Sequence, residues 1–123
     1  MSRGAAGEAL ARVRAEIEKE KAEALGRAGA RLEEALRMLR LIRHEVEALE
    51  TGRATPADAL DPREAAVRRR AEYDAVRRTA QRYHHYLIVQ REALGFRKHG
   101  DVDRHYPVPG PLKTRGAVGG EAS

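Results

Sequence analysis

The 123-residue chain contains no cysteine and no tryptophan, and it contains a single phenylalanine. Without cysteine, disulfides, thiolate catalysis and cysteine-based zinc sites are excluded. With so few aromatic residues, an apolar core has to be built from Leu, Ile, Val, Ala and Tyr, which suits packed helices better than packed sheets. The two serines stand at positions 2 and 123, outside the predicted helices, so a nucleophilic triad has almost no material. We therefore expect no enzyme activity and no cofactor.

Long apolar runs are also missing from the chain. The longest run of large apolar residues extends only from Tyr86 to Val89, whereas a helix that crosses a bilayer needs about 20 apolar residues. The first residues include no apolar stretch of signal-peptide length. These absences predict a cytoplasmic protein that does not contact membranes.

Two apolar patterns with alternating steps of three and four residues are the main positive signal. This spacing places side chains on one face of a helix. We therefore predict an all-α fold, a long antiparallel hairpin over residues 8–98 with helix 1 at about 8–50, a turn at 51–61 and helix 2 at about 62–96. The first seam comprises Leu25, Ala28, Leu32, Ala35, Leu39, Ile42, Val46 and Leu49, and the second comprises Tyr73, Val76, Ala80, Tyr83, Leu87, Gln90 and Leu94.

The predicted ends of the helices follow from glycine and proline. Gly52 is suited to the C-terminal cap of helix 1, and either Thr55-Pro56 or Asp61-Pro62 can open helix 2, with Pro62 as the favoured start. Residues 1–7 are small and contain glycine, which predicts a flexible arm. Residues 99–123 are predicted to form an extended or disordered tail, because three prolines alternate in the segment YPVPGPL.

The phase of the apolar pattern changes near the start of helix 1. Leu10, Val13 and Ile17 do not continue smoothly into the series that begins at Leu25. Joining the two series requires steps of four residues across Lys21, which predicts a local stutter.

Both predicted helices carry apolar residues that one seam cannot bury. A second hairpin packed on the first would cover them and form a four-helix bundle, so we expect a homodimer. The alternative is that the C-terminal tail folds back and covers the apolar run from Tyr86 to Val89. The side chains predicted to self-associate are Leu36, Met38, Tyr83, Tyr86, Leu87 and Val89.

The proline-rich segment has two interpretations. Preformed extended structure binds aromatic-lined grooves at low entropic cost, which predicts a docking strand for an unidentified protein partner. The same stiffness is equally consistent with a spacer or with a strap over the hairpin. In either arrangement Tyr106 and Leu112 are the predicted anchors.

A basic line on helix 2 is the second functional signal. Residues 63–98 carry a net charge of +6, and one basic side chain recurs at every seventh position. Such a line can follow a phosphate backbone, although flanking positions in helical bundles are usually charged and pair with neighbouring segments. The line consists of Arg63, Arg70, Arg77, His84, Arg91 and Lys98.

A short alternating cluster in the tail is a weak metal candidate. His99, Asp101, Asp103 and His105 would project on one side of an extended strand and could bind zinc, manganese or iron. Their spacing is not a known metal signature, so a solvated turn is the favoured interpretation. Taken together, the sequence predicts a non-enzymatic interaction or scaffold module that acts through self-association, with polyanion or nucleic-acid binding as the alternative.

Overall fold

The computed structural model describes residues 3–57 and 61–114, and within these ranges the chain forms three helices and no strand. They are α1 (Arg3–Glu50), α2 (Pro62–Ala93) and α3 (Gly100–His105). Helix α2 folds back along α1, since Arg70 near its start bonds Glu50 and Leu87 near its end lines the same cavity as Leu25. The predicted all-α hairpin is therefore confirmed. None of the helices in the described ranges is long and apolar enough to cross a bilayer.

The core lies along the predicted seams. Leu32, Leu39, Ile42, Val46 and Tyr73 are its largest fully buried side chains. Burial of apolar surface stabilises a fold by about 25 cal/mol per Å². The seam is therefore the main source of stability. The smaller buried side chains Ala28, Ala35 and Ala80 complete the seam between α1 and α2.

The connection between the long helices uses the predicted capping residues. Gly52 has a φ of 75°, a backbone conformation that side chains with a Cβ rarely adopt, and it reverses the chain at the end of α1. The Arg53 amide donates to the Ala48 carbonyl at 2.8 Å, and the Thr51 hydroxyl donates to the Glu47 carbonyl at 2.7 Å. At the start of α2, the Asp61 carboxylate accepts from the Arg63 amide at 3.2 Å.

Two predicted helix bounds need correction. Residues 3–7 belong to α1, so the flexible-arm prediction is wrong for them; the neighbouring Ala5 and Ala6 favour helix, and nothing there ends it. Helix α2 ends at Ala93 rather than near 96, because Gly95, with a φ of 94°, lets the Phe96 amide donate to the Arg91 carbonyl at 3.0 Å.

The tail prediction also needs correction in its first part. Residues 100–105 form α3 instead of extended chain. Residues 106–114, which we call the strap, have no helix or strand and lie against the hairpin. The prediction for residues 115–123 falls outside the described residues.

Ion pairs connect the two helices near the turn. Arg70 donates to both carboxylate oxygens of Glu50 at 2.8 Å, and Arg69 contacts both Glu45 and Glu72. The hydrogen bond to Glu45 raises the pKa of the Arg69 guanidinium, and the hydrogen bond to Glu50 raises that of Arg70, in each case against the opposing effect of desolvation. The acidic end of α1 thus meets the basic start of α2.

Candidate interaction surfaces

The strap runs antiparallel to α2 and is held by side chains that donate to its main-chain carbonyls. Arg70 Nη1 donates to the Lys113 carbonyl at 2.8 Å, the Tyr73 hydroxyl to the Gly110 carbonyl at 2.9 Å, and Arg77 Nε to the Pro109 carbonyl at 2.8 Å. A segment rich in proline offers few amide donors but retains every carbonyl acceptor, so donor side chains are the suitable partners.

Helix α3 is attached to the same side of α2 by hydrogen bonds between side chains. His84 Nε2 lies 2.8 Å from Asp103 Oδ1, and Arg91 Nη2 lies 3.2 Å from Asp101 Oδ1. Arg91 Nε also donates to His99 Nδ1 at 3.3 Å, and its guanidinium lies 4.5 Å from the centre of the Phe96 ring. Arg91 therefore organises the return of the chain after α2.

Four of the six side chains in the basic line bind the chain's own C-terminal part. Each of Arg70, Arg77, His84 and Arg91 has a hydrogen-bond partner in residues 98–113. Only Arg63 and Lys98, at opposite ends of the line, have exposed side chains with no such bond. The seven-residue spacing marks the site at which the tail packs, and the segment that binds these four side chains is the chain's own C-terminal part.

Gly29 on α1 provides space for the strap. It is buried, and a Cβ added there would lie 3.3 Å from the Tyr106 hydroxyl oxygen. Tyr106, Val108 and Leu112 pack against the core. The structure thus places the two predicted anchors, Tyr106 and Leu112, in contact with this chain. A glycine inside an alanine-rich helix was the one sequence signal of this close approach.

Two of the six side chains predicted to self-associate are buried within the chain, and this part of the prediction is wrong. Leu36 is 5% exposed because it lies on the strap side of α1, seven residues from both Gly29 and Arg43, which line cavities with the strap. Leu87 is 4% exposed because it belongs to the seam. Tyr83 is half-buried against the core, and the three remaining candidates, Met38, Tyr86 and Val89, are exposed.

The geometry assumed for the metal candidates is wrong. Asp101, Asp103 and His105 lie on α3, where neighbours two residues apart point about 200° apart instead of to one side. Asp101 bonds Arg91 and Asp103 bonds His84, while His99 Nδ1 accepts from Arg91. Within residues 3–57 and 61–114, no three His, Asp or Glu side chains are grouped closely enough to hold a metal ion.

A second line of side chains, which we call the open line, runs along α1 with large apolar residues at its two ends, and it explains the change of phase in the apolar pattern. It steps by three and four residues, offset by one residue from the seam. Every exposed large apolar side chain of α1 lies on it, each between 37 and 54% exposed. No stutter is needed, because Leu10, Val13 and Ile17 continue this line rather than the seam. The line comprises Leu10, Val13, Ile17, Glu20, Ala24, Arg27, Arg31, Glu34, Met38 and Leu41.

The first part of α1 extends beyond the rest of the fold. Helix α1 has 48 residues and α2 has 32, and the end of α2 and α3 reach only as far as Ala22, which lines a cavity with Leu87 and Val102. Residues 3–21, which we call the overhang, therefore have no packing partner in the described chain, and every residue from 6 to 20 is exposed.

The hydrogen bond between Tyr73 and the strap gives a testable consequence. Replacing Tyr73 with Phe removes one partly buried hydrogen bond, so we expect the free energy of unfolding at pH 7 to fall by about 1 kcal/mol. Burial raises the pKa of Tyr73, and Arg43 and Arg77 oppose the rise. The pKa of Tyr73 is thus higher in the folded protein than in the unfolded chain. The neutral phenol therefore contributes fully to the free energy of unfolding below about pH 10, and this contribution is lost as pH rises through the folded-state pKa.

Urea unfolding at pH 7 and at pH 11 checks this prediction. The difference between the parent protein and Tyr73→Phe should shrink or reverse at pH 11. Tyr86→Phe is the matched control, since its side chain is exposed and should show no difference at pH 7. An equal difference at both pH values for Tyr73→Phe would contradict the prediction.

No protein-family model, no curated protein and no solved structure matches the chain. Two surfaces of the hairpin bear on its function, the strap side, which is occupied, and the open line, which is exposed.

Proposed function

We propose that the protein is a non-enzymatic helical interaction module that acts by self-association of two hairpins through a coiled-coil-like contact. The observation that carries the proposal is the open line. Its apolar side chains are exposed, although the opposite side of the hairpin is covered by α3 and the strap. Exposed apolar side chains that are grouped on one helix face, rather than scattered singly, are typical of a protein interaction site.

The overhang supports the same proposal. Helix α1 is 16 residues longer than α2, which corresponds to about 24 Å of helix. In proteins, most of the stability of a helix comes from packing of its apolar face rather than from its intrinsic helix propensity. A second copy that covers Leu10, Val13 and Ile17 would bury their apolar surface and stabilise the overhang.

The polyanion alternative has little support in this arrangement. Four side chains of the basic line are bonded to α3, to the strap or to the residues just before α3. The two remaining side chains, Arg63 and Lys98, lie at opposite ends of the basic line. They therefore do not form a continuous stripe for a phosphate backbone.

Sedimentation of the full chain over a range of concentrations tests the proposal. We expect a reversible monomer–dimer equilibrium, and we expect Leu41→Lys to weaken it by roughly tenfold or more, because an unpaired charge is placed in the contact. The control is Val67→Lys, which introduces the same charge at an exposed apolar residue of α2 away from the open line. A chain that remains monomeric at all concentrations would exclude self-association as its function.

A further inference from the structure

We propose that self-association pairs two α1 helices in antiparallel orientation about a two-fold axis near residue 25, so that each overhang lies on the open line of the other copy. The proposal rests on the proposed function and specifies its partner surface, orientation and register. A symmetric pair of this kind uses the same patch on both chains.

The apolar residues of the open line define the register. They occur in two groups, Leu10 to Ile17 at one end and Met38 with Leu41 at the other. In an antiparallel pair, residues whose numbers add up to 51 face each other. Leu10 then faces Leu41 of the second copy, and Val13 faces Met38 of the second copy. Each of these two apolar pairs occurs twice, once at each end of the symmetric contact, while Ile17 faces Glu34 of the second copy.

Charges on the open line select the antiparallel orientation. In the proposed register, Glu20 faces Arg31 of the second copy, and this opposite-charge pair occurs twice. Within the described chain, neither Glu20 nor Arg31 has an ion-pair partner, so both are available. A parallel pair would instead place Glu20, Arg27, Arg31 and Glu34 each against its own copy, and like charges that face each other are destabilising.

Neighbouring antiparallel registers fit less well. A shift of seven residues in one direction places Val13 against Glu45 and Arg27 against Arg31. A shift in the other direction places Val13 against Arg31 and Leu10 against Glu34. The register in which residue numbers add up to 51 makes two kinds of pair between large apolar side chains, whereas the first shift makes only Ile17 with Leu41 and the second makes none. Both shifts also place more large apolar side chains against charges, so the unshifted register is the favoured one.

The end of α2 lies close to the proposed two-fold axis. Leu87 and Arg91 line a cavity together with Leu25 and Gly26, so the last turns of α2 are level with the middle of the contact. Tyr86 and Val89, the other exposed candidates, stand on these turns. The strap does not obstruct the contact, because it packs on the other side of α1, against Gly29.

Charge reversal tests the orientation. We expect Glu20→Arg alone and Arg31→Glu alone each to raise the dimer dissociation constant by roughly tenfold, because each replaces two attractive pairs with two repulsive ones. The double variant Glu20→Arg with Arg31→Glu restores opposite charges and should return close to the parent value. The control is Glu18→Arg, since this exposed residue points about 160° away from Glu20 on α1.

Cross-linking tests the register, and the chain suits it because it has no native cysteine. Val13→Cys and Met38→Cys are expected to form a disulfide-linked dimer when the two variants are mixed and oxidised. Neither variant should cross-link alone, because residues 13 of the two copies are about 38 Å apart along the axis in this register.

The outcomes separate this inference from the proposed function. If the full chain is monomeric in sedimentation, both the antiparallel register and the proposed self-association are overturned. A dimer in which Val13→Cys cross-links with itself, or in which the double charge variant fails to recover, overturns the antiparallel register and leaves self-association standing. Recovery of the double variant together with cross-linking only in the mixture supports the register.

Discussion

Leu39→Ala is expected to lower the free energy of unfolding by about 3 kcal/mol. Leu39 is 1% exposed and lies in the middle of the α1–α2 seam. The substitution removes buried apolar surface and leaves a cavity, since the two long helices can close it only in part. A loss of this size is a large share of the stability of a small domain.

Leu41→Ala is the matched control for this prediction. It makes the same truncation two residues away, on the opposite side of α1, where the side chain is 50% exposed. Urea unfolding at a protein concentration low enough to give monomer should show a change within about 0.5 kcal/mol for Leu41→Ala. Equal losses for the two variants would contradict the assignment of the seam and the open line.

Gly29→Leu is expected to displace Tyr106 and loosen the strap. A Cβ at position 29 would already lie 3.3 Å from the Tyr106 hydroxyl oxygen, and a leucine side chain needs more space than a small rotation of Tyr106 provides. We expect the free energy of unfolding to fall by roughly 2 kcal/mol. We also expect faster trypsin cleavage after Arg104 and Lys113, because bound extended segments resist proteolysis and released ones do not.

Gly26→Leu is the control for the strap prediction. It places the same side chain in the same helix, one turn earlier, where an added Cβ meets nothing within 4 Å. Helix propensity alone should then raise stability by up to about 1 kcal/mol, with no change in cleavage of the strap. If both variants destabilise the chain equally, the packing of Tyr106 against α1 does not depend on the space at Gly29.

The hairpin can be predicted from the sequence because heptad spacing and capping residues are local signals. Seam residues such as Leu32 and Tyr73 repeat at helical steps, and Gly52 and Asp61 mark helix ends through their own backbone preferences. The early start of α1 was harder to predict, since the overhang has no cap and no packing partner to fix its first residue.

The sequence by itself determined that this chain forms two long helices, where they face each other and that a basic line flanks the contact. Only the tertiary structure decided what the line binds. Arg77 donates to the Pro109 carbonyl and His84 bonds the Asp103 carboxylate, and the periodic pattern of α2 specifies neither partner. The burial of Leu36 was decided in the same way, because exposure depends on which distant segment covers a face, and spacing along one helix does not specify that segment.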